Sequence, residues 1–89
     1  MSLNFPNVSR SYEAKRNRVR FWGYDSALEI TFFVDSSLLA RLCPDCGDGE
    51  AGLLKAFDTM IERIHNAARK AYKGNRERSD IFVLTEAQF

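Results

Sequence analysis

The sequence predicts an α+β fold, with an antiparallel β-hairpin plus a C-terminal strand and a short and a long helix packed on one face of the sheet. Three observations predict it. The neighbouring stretches "RVRFWG" and "ALEITFFV" alternate apolar and polar residues with the period of two of half-buried strands. Beyond them the apolar spacing lengthens to threes and fours, as amphipathic helices require. A short apolar run, "IFVL", then follows a polar loop and reads as a strand. At 89 residues the chain holds one domain, since a second core could not be buried in what remains.

The hairpin is joined by Gly23-Tyr-Asp-Ser-Ala27. Val19 and Phe21 share one face of its first strand, and Leu28, Ile30, Phe32 and Val34 share one face of its second. A tip at Asp25-Ser26 sets Phe21 opposite Ile30 and Val19 opposite Phe32, which puts both apolar sets on the same side. Asp35, Ser36 and Ser37 then offer an N-cap for a short helix carrying Leu38, Leu39 and Leu42. Pro44 ends it, because proline disfavours helical geometry in the residue before it.

The long helix is expected to start near Asp48, with Glu50 in its first turn complementing the dipole. Its stripe is Leu53, Leu54, Phe57, Ile61, Ile64, Ala68, Ala71 and Tyr72, and Gly74 supplies the stop. Such a helix of roughly 24 residues spans about 36 Å. After the third strand, Thr85-Glu-Ala-Gln88 matches a capping box with only Phe89 beyond it. It reads as one capped turn that folds Phe89 back onto the core.

Composition is that of an ordinary globular domain, 45% hydrophobic and 28% charged, with a net charge of +1. Charge is unevenly spread. Arg10, Lys15, Arg16, Arg18 and Arg20 stand against Glu13, and Arg63, Arg69, Lys70, Lys73, Arg76 and Arg78 against Glu77. Between them, residues 21–62 hold eight acids and only Arg41 and Lys55. These blocks read as solvated surface unless the two basic segments meet in space. No apolar run is long enough for a membrane span. The start lacks a basic region followed by an apolar stretch, so no signal peptide is read and a cytoplasmic location is expected, with both cysteines reduced.

"FPN", "SYEAKRNRVRFWGYDSALEITFFV", "GLLKAFDTMIERIHNAARKAYK" and "FVLTEAQF" together resemble the small bacterial domain-of-unknown-function family fourteen-eighty-eight. The family pattern falls on Ser11-Tyr12-Glu13, on Val19-Arg20-Phe21, on Phe57 with Arg63 and Ile64, and on Leu84-Thr85 with Gln88-Phe89. Glu13 and Gln88 depart from the acids of that pattern, which weakens the case for a catalytic paired carboxylate there. The resemblance covers nearly the whole chain. It implies a compact α+β domain and carries no activity to inherit.

Two motifs invite chemistry and are read as structural. Cys43-Pro-Asp-Cys46 and the single His65 fall short of the four ligands of a structural zinc site. As a redox pair, Cys43 stands at the end of a helix, where the dipole disfavours a thiolate, and Asp45 and Asp48 add to that. The stretch is expected to be a turn between helices. His65, with Glu62 and Arg69 on the same helix, has the spacing of an oriented base but no nucleophile, and reads as a boundary residue. No catalytic or metal residue and no cofactor is therefore expected, and the protein is read as a non-enzyme.

The candidate binding residues lie on the other face of the hairpin. Arg18, Arg20 and Trp22 alternate on one strand, with Glu29, Thr31 and Phe33 on the next. The register above sets Arg18 opposite Phe33, Arg20 opposite Thr31 and Trp22 opposite Glu29. Aromatic anchors beside arginine suit protein interfaces. Arginines interleaved with aromatics also suit nucleic acid. A third reading has the N-terminal segment through Tyr12 folded across this face. The leading expectation is a non-catalytic binding or regulatory module, with a protein partner or self-association as a homodimer. The alternative is a nucleic-acid-binding domain using Arg18, Arg20, Trp22 and Phe33.

Overall fold

The computed structural model describes residues 3–6, 10–47, 49–73, 81–86 and Phe89. Among them run β1 (Arg10–Glu13), β2 (Arg18–Asp25), β3 (Leu28–Asp35), α1 (Ser36–Leu42), α2 (Glu50–Thr59), α3 (Ile61–Lys73) and β4 (Ile81–Leu84). They form one four-stranded sheet in the order β1-β2-β3-β4. The first three strands are antiparallel neighbours, and β4 returns parallel to β3 after the helices. The α+β class, the hairpin, the C-terminal strand and the helical layer on one face of the sheet are as expected. The element count is larger: β1 is an additional strand, and the long helix is two.

The hairpin register differs from the expected one by two residues. Phe21 pairs with Phe32, Val19 with Val34 and Gly23 with Ile30. The chain turns one residue later, at Ser26-Ala27, with Ser26 in the left-handed region at φ 57°. β2 therefore runs through Gly23 to Asp25 instead of stopping at the glycine. Because strand side chains repeat every two residues, a shift of two keeps every side chain on its expected face.

Val19, Phe21, Ile30, Phe32, Val34 and Leu84 line the inner face of the sheet and are buried against Leu39, Leu53, Ala56, Phe57 and Ile64 of the helices. Phe21 is at the centre, its ring 5.3 Å from that of Phe32 and edge-on to Phe57 at 5.1 Å. Each ring removed from water contributes on the order of 1.5–3 kcal/mol. α2 ends at Met60, whose φ of −101° and ψ of 18° leave the helical region. The Met60 N–H still donates to the Ala56 carbonyl, and the Ile64 N–H donates to the Met60 carbonyl. This one-residue break lets α2 lean on β1 and β2 while α3 packs on β4. A straight helix has a single axis and could not follow both ends of a twisted sheet.

The described N-terminal residues, 3–6, join this inner layer and lie away from the outer face. Leu3 is buried in the core. Asn4 exchanges two backbone hydrogen bonds with Tyr24, at 2.8 and 2.7 Å. Phe5 then lies over Gly23, where an added Cβ would come within 2.8 Å of both its ring and the Asn4 carbonyl oxygen. The ring fills the inner-face position that the glycine leaves empty. Further along, Arg10 donates from two guanidinium nitrogens to Asp58, at 2.8 and 2.9 Å, and ties β1 to α2. At the far end of the sheet, the Tyr72 hydroxyl donates to Asp25, which raises the tyrosine pKa above its ordinary value.

Cys43 and Cys46 are joined in a disulfide, which corrects the expectation of two reduced thiols. The stretch is a turn, as expected: Pro44–Cys46 form one 3₁₀ turn between α1 and α2. Proximity explains the bond, since the turn folds Cys46 back so that its N–H donates to the Cys43 carbonyl at 3.1 Å. At the C-terminus, Phe89 is half-buried against the core, with its N–H donating to the Glu86 carbonyl. Gln88, half of the expected capping pair, lies outside the described residues.

Candidate binding face

Since all three helices pack on the inner face, the outer face of the sheet carries no helix among the described residues. Strand alternation sends to it Ser11 and Glu13 from β1, and Arg18, Arg20, Trp22 and Tyr24 from β2. β3 adds Glu29, Thr31 and Phe33, and β4 adds Ile81 and Val83. All four residues singled out in the sequence, Arg18, Arg20, Trp22 and Phe33, are therefore on one face. Their neighbours differ from those expected: Arg20 is opposite Phe33, Trp22 opposite Thr31, and Arg18 opposite Asp35.

Arginine covers the aromatics. The Arg18 guanidinium carbon sits 3.5 Å from the Phe33 ring centroid, and its Nε donates to Glu13 at 2.9 Å. Glu13 thus holds the guanidinium flat against the ring, so Phe33 is only 8% exposed although no helix reaches it. Arg20 stacks on Trp22 at 4.9 Å, which leaves the indole half-buried. Such stacked pairs contribute about 0.5–1 kcal/mol each at exposed sites.

Open apolar surface comes from β4 instead. Ile81 is 57% exposed and Val83 is 51% exposed, beside Phe33 and Thr31 in the sheet. Sequence reasoning passed over both, although the alternation within "IFVL" carries the signal: with Phe82 and Leu84 facing in, Ile81 and Val83 face out. Among the described residues β4 is also the end strand of the sheet, with no charge or proline of its own, the features by which sheet edges are usually protected. The opposite edge is different, because β1 carries Arg10 and Glu13.

The other candidates are packing features. The His65 ring stacks on Phe5 at 3.9 Å with planes 3° apart. Burial first, and the Arg69 charge second, lower its pKa to about 4, so the imidazole is neutral near pH 7. A cavity of about 160 Å³ between α1 and the end of β4 is bordered by the Arg41–Glu86 ion pair. It is below the roughly 300 Å³ at which small-molecule sites begin. Among the described residues there is no group of three or more potential metal ligands, and no helix is long and apolar enough to cross a membrane.

No curated protein and no solved structure matches the chain. The family model of the proteins of unknown function called DUF1488 matches residues 3–83. Its span takes in the N-terminal segment, the hairpin with its arginine-covered outer face, the helices and most of β4, and the chain belongs to this family.

Proposed function

We propose that the protein is a non-catalytic cytoplasmic binding module that docks a second copy of itself through the outer face of its sheet. What carries the reading is the asymmetry of the two faces: one is sealed by three helices, the other offers Ile81 and Val83 beside arginine-capped aromatics. Aromatic and arginine residues in one patch are the composition that protein interfaces favour. The charges support self-pairing. Arg18 and Arg20 share the face with Glu13, Glu29 and Asp35, so a twofold arrangement can set opposite signs against each other. The same mixture speaks against a polyanionic partner, whose phosphates need an excess of cations. Phe33 is also closed to a stacking base by Arg18.

Sedimentation of the wild type beside the Trp22→Ala, Val83→Lys double variant tests this. The wild type should sediment as a dimer at micromolar concentration and the variant as a monomer with an unchanged far-ultraviolet CD spectrum. A monomeric wild type overturns the reading. If the wild type also binds duplex or single-stranded nucleic acid with an affinity that falls steeply with salt, the nucleic-acid alternative replaces it.

A further inference from the structure

Independently of the sheet face, we infer that Cys43 and Cys46 form a reversible thiol–disulfide exchange site for small thiols, and that its redox state sets how firmly the end of α1 is held to α2. Three observations support this. The chain has two cysteines and the disulfide uses both, so no other protein thiol competes within the molecule. They are three residues apart, and so small a ring restricts the unfolded chain little compared with a long-range bridge. Both cysteines are half-buried, while Pro44, Asp45 and Gly47 beside them are exposed, which leaves the loop open to a small reagent. On the cytoplasmic reading proposed above, on which this step rests, a disulfide is more often transient or sensing than structural.

The bond also sits where two helices meet. Cys43 closes α1, its N–H donating to the Leu39 carbonyl at 2.9 Å. The Cys46 carbonyl rests on the first turn of α2, so close that a Cβ at Gly52 would lie 2.3 Å from its oxygen. Gly47, at φ 90°, then turns the chain toward α2 in a conformation that only glycine adopts readily. The disulfide therefore links the residue that caps α1 to the residue seated on α2. Without it, α1 is held at that end by the packing of Leu39 and Leu42 and by the Arg41–Glu86 pair, non-covalent contacts of the kind that open locally.

Exchange proceeds in two balanced steps. A thiolate attacks one cysteine sulfur, breaking the protein disulfide, forming a mixed disulfide and releasing the other cysteine as a thiolate that takes a proton from water. A second thiolate then attacks its fellow in the mixed disulfide, releasing the small-molecule disulfide and the second cysteine thiolate, which is protonated in turn. Two electrons pass from the small thiols to the pair. Asp45 and Glu50 make the surroundings negative, which favours a cationic thiol over an anionic one at low salt.

The test equilibrates the full-length protein in glutathione redox buffers at constant total glutathione, traps thiols by alkylation for mass spectrometry, and follows backbone hydrogen exchange in each state. The pair should pass from disulfide to dithiol within the buffer range while the protein stays folded. Reduction should speed exchange at the α1 amides several-fold and leave β2 and β3 unchanged. The Cys43→Ser, Cys46→Ser variant should show the reduced pattern in every buffer. Cysteamine should reduce the pair faster than glutathione, with the difference shrinking as salt rises. A bond that yields only on unfolding, a pair that never closes in oxidised glutathione, or α1 exchange that ignores redox state each overturns the inference.

Discussion

At the scale of single residues, Gly23 and Phe5 act as one unit. The glycine occupies an inner-face position in β2, and the Phe5 ring occupies the space a side chain would take. Gly23→Ala should displace Phe5 and cost about 1–3 kcal/mol, the usual range for overpacking, which a denaturant midpoint measures. It should also move His65, since the stacked ring is part of what buries the imidazole. As the only histidine, it can be titrated by NMR without ambiguity. The wild-type pKa should be about 4, below the 6.5 of an ordinary imidazole, and Gly23→Ala should raise it. The sign of the linkage follows. A lowered histidine pKa means that the unfolded chain binds the proton first, so this residue's contribution to stability is retained above pH 6.5 and declines as pH falls toward 4. His65→Gln should flatten that part of the stability profile. None of this is legible in the sequence: Gly23 reads as part of the turn, because a glycine at the end of an alternating run gives no sign of a ring arriving from eighteen residues away in sequence.

At the scale of elements, legibility followed periodicity. β2, β3, β4 and α1 were legible from alternation, capping residues and Pro44, and even the wrong hairpin register kept the faces right because the error was two residues. β1 was missed because Ser11-Tyr12-Glu13 has no run of apolar residues. It is held by backbone pairing with β2 and by Arg10 on Asp58, a contact 48 residues apart in sequence. The break at Met60 was equally hidden, since no glycine or proline marks it and the apolar spacing runs through it. At the chain end, Phe89 packs on the core without being enclosed. Removing it should cost about 1–2 kcal/mol, part of the value of a fully buried phenylalanine, and lower the melting temperature by several degrees. An unchanged melting curve would show that the ring adds nothing. Replacing both cysteines by serine should leave the fold intact and cost about 2 kcal/mol or less, as expected of so short a ring, measurable by denaturant unfolding in oxidising buffer.

At the scale of the whole molecule, the chain builds a two-layer domain with one finished face and one open one. The candidate site was half legible: the period-two rule assembled Arg18, Arg20, Trp22 and Phe33 correctly, but which of them remained open depended on where two guanidinium groups came to rest. That is decided by side-chain packing across strands, to which alternation is blind. The apolar opening moved from the aromatics to Ile81 and Val83 at the sheet edge. Trp22, the only tryptophan, sits on this face and reports directly on whether it is covered. Its fluorescence emission, followed while the protein is diluted, tests self-docking most directly. Self-docking predicts emission at shorter wavelength in concentrated protein, moving to longer wavelength over the same range in which sedimentation shows the dimer dissociating. Emission that stays constant from the most concentrated to the most dilute sample would contradict it.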